Sequence, residues 1–157
     1  MAVGINFAVK SSSERETEEI ARVIGRNLKG GEVLELVGDI GAGKTTFVRG
    51  LARGMGHRDN VSSPSFTISR VYDSGKLHLK HFDFYRLAEA GILEYDLDET
   101  VKDPSSVTVI EWSNIVEDVL PKSKIVIEFK VGGQSSRHLR LTCPDNLEYL
   151  IKGLKEK

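Results

Sequence analysis

The segment Gly38–Thr46 constrains this chain more than any other, because it reads Gly-Asp-Ile-Gly-Ala-Gly-Lys-Thr-Thr and fits the pattern G-x-x-x-x-G-K-[ST]. It follows Glu32–Val37, whose aliphatic and β-branched residues predict a strand. It precedes Phe47–Met55, whose apolar residues recur at helical spacing. Strand, glycine-rich loop and helix in this order are typical of phosphate-binding loops, so we predict a nucleotide-binding site here.

The residue types of this loop suit a polyphosphate. Gly38, Gly41 and Gly43 permit main-chain angles that turn successive N–H groups toward a phosphate, and the next helix directs its positive N-terminus to the same place. Lys44 adds a full charge near the β- and γ-phosphates, and the hydroxyl of Thr45 is placed to ligate Mg²⁺. The predicted nucleotide contacts in the loop are Asp39, Gly41, Ala42, Gly43, Lys44, Thr45 and Thr46.

Composition narrows the class of protein. The chain has 157 residues and a formal charge of −1, with 22 basic and 23 acidic residues. We predict one domain spanning residues 1–157. Because acidic and basic residues nearly balance, we do not expect the chain to bind nucleic acid through its overall charge. The single cysteine, Cys143, excludes a disulfide framework and is interpreted as a small buried hydrophobe. Without a signal peptide or a long apolar run, the chain is expected in the cytoplasm.

Strands and helices alternate along the middle of the sequence, so the predicted class is α/β. The expected architecture is a P-loop NTPase three-layer sandwich, with a central, mostly parallel sheet and antiparallel edge strands. Besides the loop and its neighbours, the predicted strands are 5–9, 66–73, 77–85, 107–110, 125–131 and 138–142, and the predicted helices are 13–28, 86–101 and 146–154. The first helix carries a capping box, with Ser13 at its N-cap and Glu16 three residues later.

Acids at strand ends are the next candidates, since ligands collect at the carboxyl ends of an open parallel sheet. Glu111 follows the apolar run Val107–Ile110 and matches a Walker B carboxylate, which holds Mg²⁺ through water or orients the attacking water. Asp83 lies between aromatic residues in an alternating strand. It has two open interpretations: a carboxylate near the γ-phosphate, or a strand-end acid paired with Arg86 or His81. Ser62–Phe66 is either a switch segment that senses the γ-phosphate or a plain turn.

Other polar residues give weaker signals. The four histidines show no metal-ligand spacing and are interpreted as surface or strand packing. Trp112 is interpreted as core packing, with packing beside the nucleotide site as the alternative. Arg49, Arg53, His57 and Arg58 are interpreted as a solvated helix end, with a contact surface as the alternative. Nothing resembles the Asn-Lys-x-Asp signature that recognises guanine, so ATP is favoured over GTP.

Four segments in this order resemble one bacterial family. They are the loop Gly38–Thr46, Ser63–Phe66, His81–Leu87 and Ile110–Trp112, and together they resemble the threonylcarbamoyladenosine-biosynthesis ATPase family TsaE, also called YjeE. The resemblance extends over nearly the whole chain. It implies a small Mg²⁺-dependent ATPase with little activity alone. It further implies action with TsaB and TsaD in forming threonylcarbamoyladenosine at position 37 of tRNAs that read codons starting with A, with indirect tRNA contact through that complex.

The resemblance also implies residue roles. Thr45 and Glu111 would ligate Mg²⁺, Lys44 and the loop amides would hold phosphates, and Asp83 would lie at the γ-phosphate, which leaves Lys44, Asp83 and Glu111 as the expected catalytic group. Arg137 resembles a family arginine near the nucleotide. Two alternative functions remain: a nucleotide-gated binding module with incidental turnover, and a small-molecule kinase, although the chain lacks an arginine-rich lid.

Overall fold

The computed structural model describes residues 4–39, 41–58, 69–85 and 91–155. Its strands form one seven-stranded sheet with the order β1-β7-β6-β2-β5-β4-β3. The strands are β1 (Gly4–Ser11), β2 (Val33–Val37), β3 (Ser69–Asp73), β4 (His78–Asp83), β5 (Ser106–Glu111), β6 (Ile125–Val131) and β7 (Arg137–Pro144). The helices are α1 (Glu14–Asn27), α2 (Lys44–Gly54) and α3 (Leu93–Lys102), with 3-10 helices at Ser113–Val119 and Asp145–Ile151.

The centre of the sheet is parallel and both edges are antiparallel. Strand β2 pairs in parallel with β5 and β6, and β5 pairs in parallel with β4. Strands β1, β7 and β6 form an antiparallel group at one edge, and β3 and β4 a hairpin at the other. All six residues of β5 are buried, as expected for a central strand covered on both faces. This arrangement confirms the predicted fold class.

Two apolar clusters fill the two faces of the sheet. The larger one joins α1 and α2 to alternate residues of the strands, for example Leu34, Leu36, Val107 and Val109. The smaller one contains Val33, Phe82, Phe84, Leu97, Ile110, Val116 and Leu120, and so lies under α3 and the first 3-10 helix. The period-2 alternation of a strand sends neighbouring residues to opposite faces, which gives the three predicted layers.

Helix α1 begins as the capping box predicts, since the Ser13 side chain accepts a hydrogen bond from the Glu16 N–H at 3.1 Å. It packs closely on α2 through glycines. A Cβ atom added at Gly50 would lie 2.3 Å from the carbonyl oxygen of Glu18, and one at Gly25 would lie 2.3 Å from that of Leu51. These contacts fix the position of α2, and therefore of the loop before it, relative to α1.

Some predicted boundaries were wrong. The closing amphipathic helix was expected over 146–154, and the structure has a 3-10 helix at Asp145–Ile151 that ends three residues earlier. The last strand extends beyond the predicted 138–142. The predicted helix 86–101 begins at Leu93 within the described part, with residues 86–90 outside it. Within the residues that the model describes, no helix is long and apolar enough to cross a membrane.

Candidate functional site

The glycine-rich loop joins the end of β2 to the start of α2. Gly41 and Gly43 have φ values of 81° and 104°, which other residues rarely adopt. The Ala42 N–H donates to the Asp39 carbonyl at 3.1 Å and closes a tight turn. Gly43 is the N-cap of α2. The two glycines are therefore required by the backbone of the loop.

Lys44 is the first residue of α2 and is 6% exposed. Its ammonium donates to the Gly38 carbonyl at 2.5 Å and lies 3.5 Å from Oε1 of Glu111. The same nitrogen lies 4.5 Å from the centre of the Trp112 ring, a cation–π distance. The positive charge of the motif is thus held at the carboxyl end of the sheet, between the loop and β5.

The two predicted acids are neighbours across two strands. Asp83 ends β4 and Glu111 ends β5, and they are register partners in the parallel pair. Leu36, two residues before the loop, is the partner of Glu111 on its other side. The parallel sheet therefore brings Lys44, Asp83 and Glu111 to one edge, as the sequence predicted from the rule for parallel strands.

Glu111 has a second partner that the sequence interpretation treated only as packing. Nε2 of His81, which is fully buried, lies 2.5 Å from Oε2 of Glu111. Burial by itself would raise the pKa of Glu111, but the His81 hydrogen bond and the positive charges of His81 and Lys44 outweigh it and hold that pKa below its ordinary value. Glu111 is therefore kept as a carboxylate inside the protein.

Asp83 lies in a different environment. Burial is the main reason that its pKa is raised, and the charge of Glu111 adds to this effect. A hydrogen bond from the Tyr85 N–H at 3.0 Å acts in the opposite direction. Of the two pairings proposed from sequence, Arg86 lies outside the described residues, and His81 directs its Nε2 to Glu111. Two adjacent carboxyls with opposite pKa shifts suit different tasks at one site.

Trp112 is both a packing residue and part of the site. It has a φ of 57°, the one positive value among described residues other than glycine. Its ring packs on the smaller core cluster and lies 4.8 Å from the Tyr85 ring. A cavity of about 140 Å³ lies beside it, lined by Glu35, Leu36, Val37, Gly38, Lys44, Trp112, Ser113 and Asn114. The Trp112 ring therefore contacts Lys44 as well as the core, so the structure combines the two positions that the sequence offered for it.

A buried polar group supports the same corner from the other face of the sheet. The Ser113 hydroxyl donates to Glu35, and the Lys124 ammonium lies 3.3 Å from Glu35 and 2.9 Å from Glu117. Glu35 is 8% exposed, so this neutralisation is needed for its burial. Sequence analysis missed the group because its members come from three separate segments.

Arg137 lies on the loop. Its Nε donates to the Ala42 carbonyl at 3.1 Å, and one terminal nitrogen donates to the Gly41 carbonyl at 3.3 Å. The expected proximity of this arginine to the loop is therefore present in the structure.

The residues suit Mg²⁺ held together with a nucleotide. Among residues 4–39, 41–58, 69–85 and 91–155, no group of three or more His, Cys, Asp or Glu side chains is arranged to hold a metal alone. Mg²⁺ commonly takes one or two protein oxygens and completes its shell with phosphate and water. The Glu111 carboxylate and the partly buried Thr45 at the start of α2 supply such oxygens. The Ser62–Phe66 segment lies outside the described residues.

Comparisons with known proteins show which family this chain resembles. The family model described as "Threonylcarbamoyl adenosine biosynthesis protein TsaE" matches residues 11–139. A Bacillus subtilis protein named "tRNA threonylcarbamoyladenosine biosynthesis protein TsaE" is 37% identical over 137 residues, covering 87% of this chain and 85% of its own. A Treponema pallidum protein of the same name is 38% identical over 130 residues, covering 82% and 95%. The crystal structure of Bacillus subtilis YdiB aligns with a TM-score of 0.77 at 34% identity, covering 96% of this chain and 94% of its own.

Proposed function

This chain belongs to the TsaE family of threonylcarbamoyl adenosine biosynthesis proteins, and from that premise we propose that it is a Mg²⁺-dependent ATPase. In this proposal it converts ATP to ADP and phosphate in the cytoplasm and acts with the TsaB–TsaD heterodimer. The reaction is required to form the threonylcarbamoyl group on adenosine 37 of tRNAs reading ANN codons. Its contact with tRNA is indirect, through the complex.

One observation carries the catalytic part of the proposal. The ammonium of Lys44, from the loop, and the carboxylate of Glu111, from a strand end, lie 3.5 Å apart at the carboxyl edge of the sheet. A loop of this kind binds phosphates. An adjacent strand-end carboxylate can hold the Mg²⁺ or position the water that phosphoryl transfer to water requires.

The chain's own residues have separable tasks in this mechanism. The amides of the loop and Lys44 hold the phosphates and stabilise negative charge on the transferring group. Bound Mg²⁺ would neutralise further charge and orient the phosphates, held by Thr45 and Glu111. Asp83, next to Glu111 in the register, or Glu111 itself positions the attacking water. His81 holds Glu111 in place.

The test is ATP turnover by the purified protein, alone and with TsaB–TsaD. We expect slow turnover alone and a large acceleration with the partners. Lys44→Ala and Thr45→Ala should each lower the accelerated rate by about 100-fold or more, because this catalysis is mainly positioning and electrostatics. Arg49→Ala, which removes a positive charge from the same helix, is the matched control and should leave the rate within about twofold. No acceleration by the partners would contradict the proposed role.

The two alternatives give different results. A nucleotide-gated module predicts that Glu111→Ala and Asp83→Ala, if they still bind ATP, retain tRNA modification; the ATPase proposal predicts its loss. A small-molecule kinase predicts that labelled γ-phosphate from ATP appears on an acceptor faster than in water. The ATPase proposal predicts inorganic phosphate as the labelled product.

A further inference from the structure

The Arg137 side chain contacts the main-chain carbonyl groups of the phosphate loop. Its guanidinium donates to four main-chain oxygens: those of Gly41 and Ala42 in the loop, at 3.3 and 3.1 Å, and those of Gly133 and Ser136 in the β6–β7 hairpin, at 3.4 and 2.9 Å. A Cβ added at Gly43 would lie 3.9 Å from its Nε. The guanidinium therefore packs directly on the loop backbone and joins it to the hairpin.

From this geometry we propose that Arg137 is a positioning residue, which orients the loop amides by holding the carbonyls of Gly41 and Ala42, and that it is not itself a ligand of the nucleotide. The benefit of this arrangement for ligand binding rests on the proposed nucleotide site. The proposed effect of Arg137 on the loop backbone does not depend on a bound nucleotide.

The planar peptide bond explains how holding a carbonyl sets an amide. The C=O of one residue and the N–H of the next point in opposite directions across one rigid peptide plane. Fixing the Ala42 carbonyl on Arg137 therefore turns the Gly43 N–H to the opposite side, which is the side of the proposed phosphate. Fixing the Gly41 carbonyl likewise holds the Ala42 N–H on the Asp39 oxygen, the bond that closes the turn.

A loop with positive φ values at Gly41 and Gly43 needs an external contact that restricts its backbone. Its glycines give it many accessible backbone states, and ordering them costs conformational entropy. Arg137 is well anchored to supply the constraint: it is the first residue of β7 and is paired with Val131 on β6 and with Ser11 on β1. Arginine suits this task because its planar fork offers several donors in fixed directions, which a lysine ammonium does not.

Arg140 offers a matched control on the same strand. It carries the same charge and is exposed, paired in register with Glu128 and Ala8. Removing Arg140 therefore changes the net charge of the chain as much as removing Arg137, without touching the loop.

Hydrogen–deuterium exchange of the nucleotide-free protein tests the structural part. We expect the Ala42 amide, which donates to the Asp39 carbonyl, to exchange about 10-fold faster in both Arg137→Ala and Arg137→Lys, since each loses the two loop bonds. Arg140→Ala should match the wild type. Unchanged exchange in the Arg137 variants would overturn the proposal. Because no ligand is present, this result holds whether or not the protein is an ATPase.

Nucleotide affinity, measured by calorimetry with Mg²⁺, tests the consequence. Both Arg137 variants should weaken ADP and ATP binding by a similar factor, about 10-fold, because the loop amides serve both nucleotides. Wild-type affinity in Arg137→Lys would identify a simple charge contact and overturn the proposal. A loss for ATP at least 10-fold larger than for ADP would identify a direct ligand of the terminal phosphate and would also overturn it. If Arg137→Ala does not fold, Arg137→Lys decides both measurements.

Discussion

His81 and Glu111 form a hydrogen-bonded pair inside the sheet, with Nε2 and Oε2 2.5 Å apart. His81 is fully buried and Glu111 is 4% exposed. The second carboxylate oxygen of Glu111 faces the Lys44 ammonium at 3.5 Å. The Glu111 carboxylate, which the proposed mechanism uses, thus lies between the imidazole of His81 on the neighbouring strand and the ammonium of Lys44 from the phosphate loop.

Removing His81 should disturb the reaction more than nucleotide binding. In His81→Ala, Glu111 loses its fixed orientation, and we expect kcat with TsaB–TsaD to fall by about 10- to 100-fold while the ADP dissociation constant changes by less than threefold. His81→Gln, which places an amide donor near the position of Nε2, should recover part of the rate. His78→Ala, on the same strand but partly exposed, is the control and should resemble the wild type. An equal loss of kcat in His81→Ala and His78→Ala would contradict this role.

The chain's single tryptophan should report nucleotide binding by its fluorescence. The Lys44 ammonium lies 4.5 Å from the centre of the Trp112 ring, and a phosphate in the loop would draw this charge away from the ring. We expect a saturable change in emission when ADP and Mg²⁺ are added. In Lys44→Ala the starting emission should differ, and the change on titration should be largely lost. A full wild-type response in this variant would show that the signal has another source.

The contact between α1 and α2 should be intolerant of a single added methyl group. A Cβ at Gly50 would lie 2.3 Å from the Glu18 oxygen and 2.6 Å from the Ala21 Cβ. We expect Gly50→Ala to lower the free energy of unfolding by about 3 kcal/mol, because both neighbours belong to a packed helix. In Gly133→Ala the new atom meets nothing nearer than 3.9 Å, so its stability should be within about 0.5 kcal/mol of the wild type. Urea denaturation of the three proteins decides this.

Cys143 should reduce stability at alkaline pH. Burial, with the nearby charges of Glu148 and Asp145, raises the pKa of its thiol to about 11. The folded chain therefore keeps a proton that the unfolded chain releases above about pH 9, so the free energy of unfolding falls as the pH rises toward 11. Between pH 8 and 10 the wild type should lose about 1 kcal/mol more than Cys143→Ala, as measured by urea denaturation. Equal losses would contradict the raised pKa.

The same burial should protect the thiol from reagents. Cys143 is 0% exposed, and a neutral thiol is a poor nucleophile. We expect iodoacetamide at pH 8 to label it only in denaturant, with mass spectrometry as the readout. Labelling of the native protein at the rate of a free thiol would contradict both its burial and its interpretation as a core residue.

The sequence by itself determined the loop, the positions of Asp83 and Glu111 at strand ends, and the fold class. A phosphate loop has a local pattern, since Gly41, Gly43 and Lys44 act through their own backbone and one side chain. A buried parallel strand also has a local pattern, because both of its faces are apolar, and the acid after it is then placed by the rule for parallel sheets. These features need few long-range contacts to be recognised.

Only the tertiary structure decided which groups surround those residues. His81 shares a strand face with Asp83 by simple alternation, and that signal was present in the sequence, but its contact with Glu111 depends on the β4–β5 register. The hydrogen bond from Arg137 to the Ala42 carbonyl joins residues 95 positions apart. The Trp112 backbone turn and the Glu35–Lys124 pair likewise depend on segments that meet only on folding. A sequence shows which side chains are available, whereas the direction of a hydrogen bond is set by the packing of strands and helices that are distant in the chain.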